Sequence, residues 1–253
     1  MKVKSLFVSF CACAILAVTI AFKAQGRQQP VLPDPETGVL ASGGFTDAEI
    51  KAPDVEAWFF RAVSGYPAAI AFEPVVLFKN GEYYDVGEDP VESMDVEAEK
   101  AKRPKAWGKW RKAGDTWYLT NSQGKEHDYK LGSGNWFPAF AYTGSPKLKK
   151  AYEKTSGGDY GNGTNALFKS RINFIDDTHF TQGEEGGVIT PNSTAWNKTA
   201  DAGTYKIKGH SIEMTLNSGK VVKRSFAFGA SGTPPKATSD MIFIGGDAYT
   251  DQD

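Results

Sequence analysis

The chain has 253 residues, 40% hydrophobic and 13% aromatic, enough apolar material for a packed core, which excludes global disorder. Its formal net charge is -1, and without Lys2, Lys4 and Lys23 of the first 26 residues the balance is 26 basic against 30 acidic groups, or -4. Nonspecific nucleic-acid binding needs clustered positive charge, so no nucleic-acid partner is expected. The longest basic stretch, Lys100 to Lys112, directly follows an acidic run from Glu88 to Glu99, and the two read as solvated charged faces.

Lys2 and Lys4 precede an uncharged apolar stretch from Leu6 to Phe22, and Ala24-Gln25-Gly26 offers small residues at a cleavage position. That order is a secretory signal, so residues 1–26 are expected to be removed and the protein exported, periplasmic or secreted. An uncleaved segment would instead be an N-terminal membrane anchor, since the apolar stretch borders on the shortest span. Cys11 and Cys13, the two cysteines of the chain, lie inside that stretch. Cleavage leaves no thiol, so disulfides, thiolate catalysis and cysteine-zinc sites are unavailable to the mature protein.

Residues 27–54, rich in Pro, Asp and Gly, read as an irregular N-terminal arm. From Val55 onward, turn signals recur every few residues between β-branched and aromatic runs, the spacing of a β-meander. Val75–Phe78, Asn80-Gly81 and Glu82–Val86 form the strongest hairpin signal, with Asn-Gly suited to a type I′ turn. Pro90 to Lys102 reads as the one short helix, with Lys147 to Lys154 a weaker helical candidate. In Ser211–Leu216 the apolar Ile212, Met214 and Leu216 alternate with polar residues, the period of a half-buried strand. Tyr205 and Ile207 continue that pattern one strand earlier, and Phe226 and Phe228 one strand later. A hairpin through Gly245-Gly246 closes the pattern.

Gly108–Lys125 aligns without a gap on Gly203–Lys220 at an offset of 95 residues, with Gly108, Gly114, Thr120, Gly124 and Lys125 meeting identical residues. Trp110 meets Tyr205, Trp117 meets Ile212, and Leu119 meets Met214. The expected fold is therefore all-β, an antiparallel meander forming a sandwich or barrel from two diverged repeats. Repeat 1 would span 55–145, a connector 146–169 and repeat 2 170–253. Phe174 to Phe180, Gly203-Thr-Tyr-Lys-Ile, Asn217-Ser-Gly219, Arg224 and Phe226 together resemble a pattern in exported bacterial β-meander proteins of unknown activity. Asp176-Asp177 stands where that pattern has Asp-Gly. The resemblance implies an envelope location and β architecture, and brings no catalytic residue.

No motif for a reaction is present. His127, His179 and His210 have no metal-ligand spacing, so no metal site and no cofactor is expected. Ser122 to Lys125 matches Ser-x-x-Lys, but in a tight turn without companion motifs. Asp176-Asp177 and Glu184-Glu185 are adjacent pairs, whereas glycoside hydrolysis needs carboxyls facing across a cleft. Gly157 to Asn165 reads as a flexible connector that lacks calcium-loop spacing. Sequons start at Asn162, Asn192 and Asn197.

Aromatic residues are concentrated in the first repeat. Trp110 and Trp117 align with apolar positions and read as core. Trp107, Tyr118 and Trp136 fall at strand edges or on opposite faces, and are the candidate ligand-binding platforms for a glycan or an envelope protein. The expected function is noncatalytic binding through loops and edge aromatics. The alternatives are a calycin-like barrel holding a small apolar ligand against Tyr205, Ile212 and Met214, and a hydrolase with a non-local site.

Overall fold

The computed structural model describes residues 54–64, 70–149 and 151–252; the segment expected to be a signal and nearly all of the expected N-terminal arm lie outside them. Strands β1 (Val55–Ser64), β2 (Ile70–Phe78), β3 (Glu82–Asp85), β4 (Trp107–Ala113), β5 (Thr116–Thr120), β6 (Glu126–Lys130) and β7 (Trp136–Pro138) form one antiparallel sheet. Its order is β6-β5-β4-β3-β2-β1-β7. Strands β8 (Ala151–Asp159), β9 (Asn165–Phe174), β10 (His179–Thr190), β11 (Ser193–Lys208), β12 (Ser211–Leu216), β13 (Val221–Ser231), β14 (Lys236–Ile244) and β15 (Asp247–Asp251) follow. They close into an up-and-down barrel, with β15 returning to β8. The all-β architecture read from the alternating patterns is the one observed.

The sheet buries both faces, which is why Val75, Val76, Leu77 and Phe78 are all solvent-free. Its convex face packs on the outside of the barrel, joining Trp58, Phe60, Val76, Phe78, Tyr84 and Trp107 to Ala227 and Phe243. The opposite face curls on itself. Phe59 of β1 touches Trp117 of β5 and stacks on Trp136 of β7, and Trp136 meets Tyr129 of β6, with ring centroids 4.6–5.4 Å apart. The two edge strands of the sheet thus meet over a small second core of Phe59, Val75, Leu77, Tyr83, Leu119 and Trp136.

Specific contacts join sheet and barrel. The His210 ring, in the turn between β11 and β12, stacks on Trp58 at 4.0 Å and 7°. Its Nδ1 lies 3.0 Å from the Phe226 carbonyl. Ser225 donates to the backbone oxygens of Gly87 and Glu88. Gly246 has positive φ, and a Cβ there would lie 2.4 Å from the Val86 carbonyl oxygen. Only glycine allows that approach.

The hairpins β4–β5 and β5–β6 pair Lys109 with Thr120 and Thr116 with Lys130. The hairpins β11–β12 and β12–β13 pair Thr204 with Thr215 and Ser211 with Ser225, the same register 95 residues later.

Several local expectations are corrected. The helix is α1 (Val96–Lys102), capped by the Asp95 carboxylate on the Ala98 amide, with a separate 3₁₀ turn at Val91–Ser93. The extended backbone of Met94 divides the two. Residues Lys147 to Lys154 form no helix; Ala151 begins β8. The Gly157–Asn165 stretch is the end of β8, a tight turn and the start of β9, because Tyr160 and Thr164 close the turn by a backbone bond. The Asn80-Gly81 turn is not type I′: only Gly81 has positive φ, while the Asn80 side chain accepts from the Glu82 amide.

Candidate functional site

Two concave regions stand out among the described residues, and neither is lined by the aromatic platforms expected from sequence. Trp136 is completely buried and Trp107 nearly so, stacked between Phe78 and Tyr84. Both are core side chains that offer no face to a ligand, because curling of the sheet and packing on the barrel cover the strand edges that carry them. Tyr118 is half-buried, with the Arg111 guanidinium 3.8 Å from its ring centre. Trp117 is only half-buried, and Lys112 lies over its ring.

The larger region is a cleft of about 1680 Å³. One wall is the start of β2, the Asp85–Asp89 segment and the Lys102–Ala106 turn after α1; the other is the outer edge of β8 with the β14–β15 turn. β8 pairs with β15 only at Tyr152 and Glu153, so its edge from Lys154 to Asp159 has no strand beside it among the described residues. Gly87, Gly157, Gly158, Gly245 and Gly246 also line the cleft. Ile70 and Leu167, 68% and 43% exposed, stand on its two walls. Glu73, Asp85, Glu88, Asp89, Glu99, Glu153, Asp159 and Asp247 line it with Lys102, Arg103, Lys105 and Lys154. From outside, Arg61 reaches in to pair with Glu73 and Asp85, Arg224 with Glu88, and Lys169 and Arg171 with Glu153. The charges are therefore largely balanced, and among the described residues Asp159 is the lining carboxylate without an ion pair.

The smaller region, about 350 Å³, is the open end of the curled sheet. Alternation along the strands places Arg61 in line with Phe59, and Asp85 in line with Tyr83, so charged side chains extend the face that is apolar further in. Arg61 Nε and Nη2 donate to Glu73 Oε2 at 3.0 and 2.9 Å. Nη2 also lies 3.0 Å from Asp85 Oδ1, but off the hydrogen-bonding direction, so that sealed oxygen has an ion partner and no hydrogen bond. Burial pushes the Asp85 carboxyl up to about 6, and Arg61 only partly offsets this. Burial opposes the Arg61 charge as well, but Asp85 and Glu73 outweigh it and raise its pKa. Val63, Leu119, Asn121, Ser122, Gln123, His127 and Tyr129 complete the lining, with Lys105 at the rim.

The remaining candidates are accounted for by local structure. Asp176 caps the β9–β10 turn: its Oδ1 accepts from the Thr178 and His179 amides, and the His179 ring lies 2.8 Å from Oδ2. These contacts, the Thr178 amide first, hold the Asp176 carboxyl well below the usual carboxylate range. Ser122 and Lys125 sit in the β5–β6 turn, organised by Asn121 Oδ1. Among the described residues no group of three His, Cys, Asp or Glu could hold a metal ion. Tyr205, Ile212 and Met214 pack with Tyr152, Phe174, Phe180, Phe226 and Phe228 in the barrel interior, away from both pockets. No helix of the described residues is long and apolar enough to cross a membrane.

Sequence reasoning missed Arg61, Glu73 and Asp85. A usable signal existed: each is a charge within or at the end of a strongly apolar run, at the same parity as core aromatics or valines. Comparison with known protein families, curated proteins and solved structures finds no match to this chain.

Proposed function

We propose that this is an exported, noncatalytic binding protein that takes an extended, cationic polypeptide segment into the cleft beside β8. The observation that carries this reading is the unpaired edge of Lys154–Asp159 facing a cleft wide enough for another chain. An open strand edge offers alternating N–H and C=O groups, which a peptide strand matches along its length. Ile70 and Leu167 supply apolar contacts on the two walls, and Asp159, the unpaired carboxylate at the end of that edge, favours a positively charged side chain beside it. A polysaccharide would meet the same walls without matching the backbone edge. Export rests on the Lys-apolar-small order of the first 26 residues.

The test uses an eight-residue peptide of alternating lysine and valine, with its glutamate-valine counterpart as control. The cationic peptide should bind, more weakly at high salt, and protect the amides of Lys154–Asp159 from hydrogen exchange. Ile70→Asp and Leu167→Asp, both at exposed positions, should leave the thermal midpoint unchanged. Equal binding of the acidic peptide, or protection elsewhere on the molecule, would remove the cleft reading. Intact mass of the exported protein, expected to begin near Arg27, checks the location.

A further inference from the structure

The pocket at the open end of the curled sheet has a different character from the cleft, although Asp85 and Lys105 touch both. Its volume of about 350 Å³ lies at the lower end of the range typical of small-molecule sites. Its charges are already committed to one another. The Arg61 guanidinium is held by Glu73 and Asp85, so an anion would have to strip two carboxylates from it, and a cation would have to displace it from them. Either exchange breaks a partly buried ion pair, which is costly when one partner is left behind. Lys105 lies at the exposed rim, where water screens it.

What remains open to a ligand is a mixed set of neutral groups. The amide of Gln123 and the hydroxyls of Ser122 and Tyr129 both donate and accept, and the His127 ring adds polar nitrogens beside them. Val63 and the Tyr129 ring give an apolar surface beside them. A sugar ring has this combination of requirements: hydroxyls that donate and accept at its edge, and C–H faces that lie against aromatic carbon. A ligand with only one polar end would leave several of these groups unmatched, and unmatched polar groups penalise the wrong ligand strongly.

We propose that the mouth of the curled sheet, between Arg61, Asp85, Gln123 and Tyr129, is a binding site for a neutral polyhydroxylated molecule of one or two sugar rings. Gln123 and Ser122 sit at the exposed tip of the β5–β6 turn and close over the ligand, while the Arg61–Asp85 pair forms the floor. The site does not depend on the cleft reading, because the residues that would grip a strand, Ile70, Leu167 and the β8 edge, are not part of it.

The experiment titrates the mature protein with glucose, N-acetylglucosamine, maltose and cellobiose. Inorganic phosphate and putrescine serve as anionic and cationic probes, and amide NMR shifts and calorimetry are the readouts. At least one saccharide should bind, with shifts concentrated at Leu119–Tyr129 and around Arg61. Gln123→Ala should weaken that binding at least tenfold while leaving the thermal midpoint unchanged, since its side chain is exposed. Asp85→Asn, which keeps the shape of the floor, should also weaken it. Absence of saccharide shifts at these amides would overturn the proposal. So would phosphate or putrescine binding there in preference, or saccharide binding that survives Gln123→Ala.

Discussion

Deleting the Trp136 indole would remove the ring that ties the two edges of the curled sheet together. It stacks on Phe59 and meets Tyr129, and it has no exposed surface. Trp136→Ala should therefore cost about 3–5 kcal/mol, the usual range for a large core aromatic. Trp117→Ala should cost clearly less, because Trp117 is only partly buried, with Lys112 over its ring. Chemical unfolding of both variants checks the order. Asp85 gives a second prediction. Its folded pKa, about 6, lies above the ordinary carboxylate value, so between pH 4 and 6 the folded state holds a proton that the unfolded state has lost. Stability from this group is then present at low pH and lost as pH rises through about 6, by at most about 2–3 kcal/mol. Relative to Asp85→Asn, the wild-type protein should gain stability as pH is lowered from 7 to 4, read by thermal melts across that range.

At the scale of elements, legibility followed the number of buried faces. β12 buries one face, so Ile212, Met214 and Leu216 alternate visibly with polar residues. β2 lies between two cores, and its run of five buried residues, Pro74–Phe78, carries no period that says which side chain faces which core. Trp136 belongs to a three-residue strand whose burial depends on β6 and β7 meeting, a contact with no local signature. The polar mouth was missed for a related reason: Arg61, Glu73 and Asp85 come from three strands and become neighbours only through pairing. The lysines near Ala151 favoured a helix locally, but pairing with β9 decides in favour of β8. The two meanders have matching registers 95 residues apart. Helix α1 is short and rests on its cap. Asp95→Ala should cost about 1 kcal/mol, measured by thermal or chemical unfolding, since it leaves the Ala98 amide unsatisfied.

For the molecule as a whole, sheet and barrel are joined through a shared core, and His210 is a titratable group at that joint. Burial lowers the His210 pKa, and Nδ1 donates to the Phe226 carbonyl, so the ring lies neutral against Trp58. Glu92 is the nearest acidic group acting on it. The unfolded chain takes up this proton near pH 6.5 and the folded chain resists it, so stability present above that pH is lost as pH falls below it. His210→Gln should flatten the acid limb of the stability profile, opposite in sign to the Asp85 effect, as thermal melts between pH 7 and 4 would show. The barrel's own closure has another consequence. Its seam consists of two residue pairs, Thr250 with Glu153 and Asp251 with Tyr152, joining the first barrel strand to the last. During synthesis β8 gains β9 as its first neighbour, but its other edge stays open until the last strand, β15, exists. A chain still being synthesised therefore holds an open, unsealed ribbon until its C-terminal strand arrives.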